Sequence, residues 1–474
     1  MTKRSYVTVN PCIMCQPMGS ALAFKGIENT MVLYHGSQGY STYMRLHLAH
    51  HFREPVDIAS SSLSEKGAVY GGRENLKKGL RNVINRYNPK VIGVATTCLA
   101  ETIGNDVPAI IREFKEEEGI GDDPEKDIII ISVSTPSYGE SHVSGYIKAL
   151  EAVVRKFAEN QGEERAIKIP NGKLNLIPVE SLSPADVREI KEILEATAGN
   201  YILLPDISET FDAPLRDDLP KIAPGGTPLS EISDMPNSRA SLGLGIVSKN
   251  LALEYLEGYY GVPGQSVPIP IGLSNTDNFF TELVNIFGCP IPEKYQAERG
   301  RLLDAMVDVH KYFYGVKAAV YGDPDLVFSL TTFMLELGMH PVLVATGSKS
   351  RDFGMKIRQI FKEIRPELEP VVLDGIDFDS LNDAVSDCNP DILIGNSNGR
   401  YIAKARDIPL VRVGLPIHDR VGAQRILTVG YKGSLELLDR ITNAILEATD
   451  TFTAPVQAEP AAYASQGTEE ECME

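Results

Sequence analysis

Thiols and imidazoles crowd the front of the chain. Cysteines stand at 12, 15, 98, 289, 388 and 472, and four of the eight histidines stand at 35, 47, 50 and 51. Cys12-Ile13-Met14-Cys15 has C-x-x-C spacing, which suits a metal or cluster site or a redox pair. A four-thiolate zinc site needs a second such pair, and the sequence has none. A thioredoxin-like site would sit between a strand and a helix, whereas only TVNP precedes this pair. The plain alternative is two buried small hydrophobes. Cys98, in TTCLAET, follows the apolar run VIGVAT. A cysteine just past the carboxyl end of a parallel strand points into the crevice where ligands bind. His35-Gly36-Ser37-Gln38-Gly39 follows MVLYH in the same way, and its glycines let backbone N–H groups approach anionic sulfur or phosphate. Thr135-Pro136-Ser137-Tyr138-Gly139 follows DIIIISV. Singly, these read as a packed core cysteine and two ordinary turns. Together, with a cysteine pair upstream, they offer what an iron–sulfur cluster requires, thiolates converging on one crevice.

The elements that must position these residues form an α/β pattern along nearly the whole chain. MVLYH (31–35), VIGVAT (91–96) and DIIIISV (127–133) read as buried strands, and Arg73 to Tyr87 as a helix. A second section begins at KLNLIPV (173–179). Ser183 caps the next helix, with Pro184 at its first position, Asp186 at its positive end, and Gly199-Asn200 stopping it. YILLPD (201–206) is a strand, and residues 205–237, rich in Pro, Gly and Asp, predict a long loop with little regular structure. A third section holds strands at 317–322, 341–346, 370–374, 391–396 and 409–414, with a helix from Leu326 to Leu337 ended by Gly338. Near-continuous apolar strands alternating with helices imply parallel sheets covered on both faces. The expected fold class is therefore α/β, with three Rossmann-like doubly wound parallel-sheet domains at 1–170, 171–300 and 301–452. A disordered acidic tail is expected at 453–474.

Composition narrows the function. The 474 residues carry 46 Lys+Arg against 64 Asp+Glu, a net charge of -18 that argues against a nucleic-acid partner. The longest purely apolar run has four residues, Ile128 to Ile131, far short of a membrane span. The basic amino end lacks the apolar core of a signal peptide, so a cytoplasmic protein is expected. Neither G-x-G-x-x-G nor a P-loop occurs, and Gly322-Asp323-Pro324-Asp325 is only loosely like a phosphate loop. Met14 and Met18 read as packing residues.

Eight segments in order carry a resemblance that spans nearly the whole chain. They are NPCIMCQPMGSALAFKGI (10–27), LYHGSQGYSTYMRLHLAHHFREP (33–55), SSSLSEKGAVYGG (60–72), TTCLAETIGND (96–106), TPSYGESHVSGY (135–146), YGDPDLV (321–327), IGNSNGRYI (394–402) and GLPIHDRVGAQRILTVGYKG (414–433). They resemble the β-type subunits of the nitrogenase component 1 superfamily. That group includes the alternative nitrogenases, the scaffold on which the iron–molybdenum cofactor matures, and nitrogenase-like methylthio-alkane reductases.

The resemblance implies an oxidoreductase subunit paired with a homologous α-type chain, as a heterotetramer. It implies an iron–sulfur cluster at the subunit interface, of [8Fe-7S] or [4Fe-4S] type, fed by an ATP-dependent [4Fe-4S] reductase. It places the complex metallocofactor, and the reduction of dinitrogen or a methylthio-alkane, on the partner chain, so no catalytic residue is expected here. The family's cluster motifs fall on Cys15, Tyr40, Cys98 and Ser137. Tyr40 stands where the family has a cysteine, and Cys12 is the thiolate expected to replace it. Cys12, Cys15 and Cys98 are thus the expected metal ligands, with Ser137 and Tyr40 beside them. His418, in the β-pattern GLPIHDR, is not expected to ligate the cofactor. The scaffold reading and a paralogue that has lost its cluster are the alternatives; Cys15, Cys98 and Ser137 speak against the second.

Overall fold

The computed structural model describes residues 13–121, 127–138, 140–159, 170–197, 199–218 and 220–449. Cys12 and the expected acidic tail lie outside the described residues. Three parallel sheets account for the strands. The first is ordered β2-β1-β3-β4, with β1 at Thr30–His35, β2 at Ile58–Ser60, β3 at Val91–Thr96 and β4 at Ile129–Val133. The second is ordered β6-β5-β7-β8, with β5 at Leu174–Ile177, β6 at Tyr201–Leu203, β7 at Ala240–Leu244 and β8 at Gly264–Val267. The third is ordered β11-β10-β9-β12-β13, with β9 at Lys317–Gly322, β10 at His340–Thr346, β11 at Val371–Leu373, β12 at Ile392–Gly395 and β13 at Leu410–Arg412. In each sheet the winding reverses beside its first strand, so the loops there open a crevice at the carboxyl edge.

The strands form where apolar β-branched residues run without a break, and β1 and β3 are buried at every position. One continuous core runs from Phe24 and Val32 through Leu176 and Leu242 to Val320 and Val344, fusing the three sheets. The expected loop at 205–237 holds more order than its Pro and Gly content suggests. A helix, Leu229–Asp234, and a 3-10 turn, Met235–Asn237, lie within it. Leu229, Ile232 and Met235 recur at helical spacing and are buried, which draws the segment onto the core.

Two features hold distant parts of the chain in place. The helix Gln16–Lys25 lies against the helix His142–Glu159 with backbones nearly touching. A Cβ at Gly19 would fall 1.7 Å from the His142 carbonyl oxygen, and one at Gly145 would fall 2.0 Å from that of Gln16. Cys15 pairs with Ser141 in an isolated antiparallel bridge, so the starts of both helices are held together. The second feature is a buried carboxylate. Asp186 and Ser183 cap the Pro184–Thr197 helix reciprocally, each N–H donating to the other's side chain at 3.0 Å. The same carboxylate accepts from the Thr428 and Val429 N–H groups at 2.6 and 3.2 Å, fastening the entry to the last described helix, Gly430–Thr449.

Candidate cluster site

Four of the five residues expected at the cluster converge at the carboxyl edge of the first sheet; the fifth, Cys12, lies outside the described residues. Cys15 is the N-cap of the Gln16–Lys25 helix. Tyr40 is in the first turn of the helix Gln38–Phe52, after β1. Cys98 opens the short helix Cys98–Thr102 after β3, and Ser137 lies in the loop after β4. β1 and β3 are neighbours at the point where the winding reverses, so Tyr40 and Cys98 flank the crevice that this topology creates. Helix starts carry unpaired N–H groups and partial positive charge, which favours anionic sulfur there.

The Ser137 N–H donates to Cys98 Sγ at 3.3 Å. The Tyr40 hydroxyl lies 3.4 Å from Ser137 Oγ. Burial, and then the neighbouring Cys15, holds the Tyr40 phenol well above its usual pKa, so it stays protonated. Its ring packs edge-on to Tyr34, centroids 6.0 Å apart, and Tyr34 in turn donates to the Pro17 carbonyl at 2.7 Å. Cys15, Tyr40, Cys98 and Ser137 are all half-buried, leaving one side open. Tyr43, Leu99 and Tyr138 are exposed apolar side chains on the same elements.

Two supporting residues were not anticipated. Glu101, three residues past Cys98, accepts hydrogen bonds from the Thr96 and Ser134 hydroxyls and so ties the ends of β3 and β4 together. Its place inside TTCLAET was the only signal. His35 is fully buried and bonds Ser61 Oγ through Nδ1 and the Asn105 amide through Nε2, each at 2.9 Å. His418 accepts from Arg400 at 2.7 Å, away from the thiols' hydrogen bonds.

Burial pushes the His35 pKa down to about 4, below its usual 6.5. The unfolded chain therefore binds a proton that the folded one refuses between these values. Stability from this group is whole above pH 6.5 and drains away as pH falls toward 4. At pH 5.5 the loss is on the order of 1 kcal/mol. The thermal midpoint of the wild-type complex should fall between pH 7.5 and 5.5 by more than that of His35→Gln. Equal falls would show that this imidazole does not set the acid sensitivity.

The family model for nitrogenase component 1 type oxidoreductases matches residues 15–446. The nitrogenase molybdenum-iron protein beta chain of Methanococcus maripaludis is 42% identical over 452 residues, covering 94% of this chain and 96% of that one. The beta chain of Clostridium pasteurianum is 38% identical, covering 94% and 95%. A solved chain described as "Nitrogenase Cp1 at pH 6.5" superposes with a TM-score of 0.90 at 36% identity, covering 96% of this chain and 97% of that one. A second, "Nitrogenase Cp1 at pH 5", shares the fold at a TM-score of 0.71 and 14% identity.

The chain belongs to the family of nitrogenase component 1 type oxidoreductases. Within it, the chain is a nitrogenase-type beta subunit. Membership carries iron–sulfur cofactors in general and an alpha-type subunit as partner. Among the described residues no helix is long and apolar enough to cross a membrane.

Proposed function

We propose that this chain is the electron-delivering subunit of a nitrogenase-like reductase. An ATP-dependent [4Fe-4S] protein would supply electrons, and the α-type partner would hold the cofactor that reduces dinitrogen or a methylthio-alkane. One observation carries the reading. Cys15, Cys98, Ser137 and Tyr40 meet at the carboxyl edge of the first sheet, half-exposed, on elements that also present unpaired apolar side chains. A site open on one side is what a cluster shared between two chains needs, and the apolar side chains suit burial under the second chain.

Cys15 and Cys98 would hold the cluster, joined by Cys12, with Ser137 and Tyr40 beside them. The donor set fits: soft sulfur for iron, and an amide already directed at Cys98 Sγ. Such a cluster supplies one-electron transfer. The protein's own part is to orient and to insulate. Glu101 fixes the Cys98 turn against the Ser137 loop, the Ser137 amide stabilises negative charge on Cys98, and the Tyr34–Tyr40 pair walls the inner side. The relatives' description as molybdenum-iron protein beta chains supports a reductase over a maturation scaffold.

The test is native mass measurement on the anaerobically purified complex, with iron analysis and product assays on dinitrogen and on methylthio substrates. A heterotetramer carrying iron, with reduced product, is the expected result. A stable, iron-replete monomer would overturn the interface cluster.

A further inference from the structure

The carboxyl edges of all three sheets meet at one point, and it is not the cluster site. His142 begins the helix that follows β4, Glu180 lies just beyond β5, and Asp323 stands at the N-cap position of the helix after β9 without making a capping bond. β5 and β9 are the strands at which the second and third sheets reverse their winding. All three side chains are buried, and their donor atoms lie within 4.8 Å of one another. His142 Nε2 lies 3.1 Å from Asp323 Oδ1, an ion pair when the imidazole is protonated but poorly aligned as a hydrogen bond, and Asp323 Oδ2 has no hydrogen-bond partner. These atoms belong to side chains only 2% and 6% exposed, so the orphaned polar atoms face one another rather than water.

The charge balance points the same way. Were Glu180 and Asp323 both ionised beside a neutral imidazole, the buried space would hold two negative charges, which is costly unless a cation answers them. Asp325 adds negative potential nearby but is committed to the Val247 and Ser248 N–H groups at 2.6 and 3.1 Å. Burial and then Asp323 push Glu180 up to about 8, so without a cation the site relieves itself by keeping that carboxyl protonated. Burial, the largest influence, opposes a charged His142, but Asp323, Glu180 and the Met14 backbone together raise its pKa, so a metal ion at Nε2 competes with a proton.

We infer that His142, Glu180 and Asp323 form a binding site for a first-row divalent metal ion, separate from the iron–sulfur site. One nitrogen and two carboxylate donors suit Zn2+, Mn2+ or Fe2+, and three protein ligands leave a coordination position free. Metal–ligand distances of about 2.0–2.2 Å require the donors to draw together slightly, by side-chain rotation. Binding at Nε2 moves the ring proton to Nδ1, where it meets the Met14 N–H, a donor held at a long 3.4 Å. Glu180 also lines a pocket with Tyr146, Val179 and Asn250, an opening on its side of the triad.

Zinc chloride alone is the probe, since zinc is distinguishable from the complex's iron. The intact complex is stripped with a mild chelator and titrated with zinc, then crystallised for anomalous diffraction at the zinc edge. One zinc per chain is expected between the three side chains. Glu180→Gln and Asp323→Asn should each weaken zinc binding at least about tenfold, while bound iron stays unchanged. Absence of a zinc peak there in the wild-type complex overturns the inference, as does unaltered zinc affinity in Glu180→Gln. Loss of iron is read separately and bears on the cluster alone.

Discussion

Cys98→Ala will leave a chain that folds and pairs but carries less iron and transfers few electrons. The fold should survive because the turn does not depend on the sulfur. Thr102 Oγ1 donates to the Cys98 carbonyl at 2.7 Å, and Glu101 holds Ser134 at 2.6 Å, both independent of Sγ. The iron should not survive, because between β3 and β4 no other described cysteine is present to replace it. Activity should fall by more than about tenfold, the lower end of what losing even a supporting group at a metal site costs. Cys15→Ala should behave alike. Cys289→Ala is the control, since that thiol is exposed and remote in sequence from the site. Unchanged iron and an unchanged electron paramagnetic resonance spectrum in both Cys98→Ala and Cys15→Ala would return them to the status of packed core cysteines.

The second large effect separates Cys12 from Tyr40. Where the family places a cysteine, this chain offers a phenol that its surroundings keep protonated. A neutral hydroxyl is a poor ligand for iron in a sulfide cluster but a serviceable hydrogen-bond donor to nearby oxygen or sulfur. Cys12, three residues ahead of Cys15, is then the available thiolate. Cys12→Ala should lose much of the iron and at least about tenfold of the activity. Tyr40→Phe should keep the iron and shift only the reduction potential, because it removes a hydroxyl beside Ser137. Full iron and an unaltered spectrum in Cys12→Ala would remove Cys12 from the ligand set. Iron loss confined to Tyr40→Phe would give the position to the phenol.

The meeting of these strand-end residues was legible because its signals are local. Tyr40, Cys98 and Ser137 each follow an apolar strand run, and parallel sheets bring consecutive strand ends to one edge, whereas Cys15 precedes the first strand. The helix Arg73–Tyr87 was legible for the same reason, since its amphipathic period is written in adjacent residues. β8, GQSV, escaped notice because an edge strand with two exposed polar residues has no apolar run to announce it. β7, ASLGL, is too rich in Gly and Ser to stand out. The triad of His142, Glu180 and Asp323 was illegible for a deeper reason. Its members come from three separate sheets and share no spacing, so only the packing of the sheets against one another assembles them.

The Asp186 latch has a consequence for the order of manufacture. A ribosome releases the chain from its amino end at about 5–20 residues per second. The helices Gln16–Lys25 and His142–Glu159, with the first sheet between them, emerge early and can close on one another at once. The helix Pro184–Thr197 must instead wait for Gly430–Thr449, the helix that its capping carboxylate fastens and that also covers Glu293–Phe313. That wait lasts roughly 10–50 s at the same speed. Through it, the apolar side chains of Ile190, Ile193 and Leu194, all buried in the finished protein, lack part of their cover. The nascent subunit thus passes through a stage in which its thiol-bearing third has its sheet and helix pair while the shared core and the cover of the middle third are still incomplete.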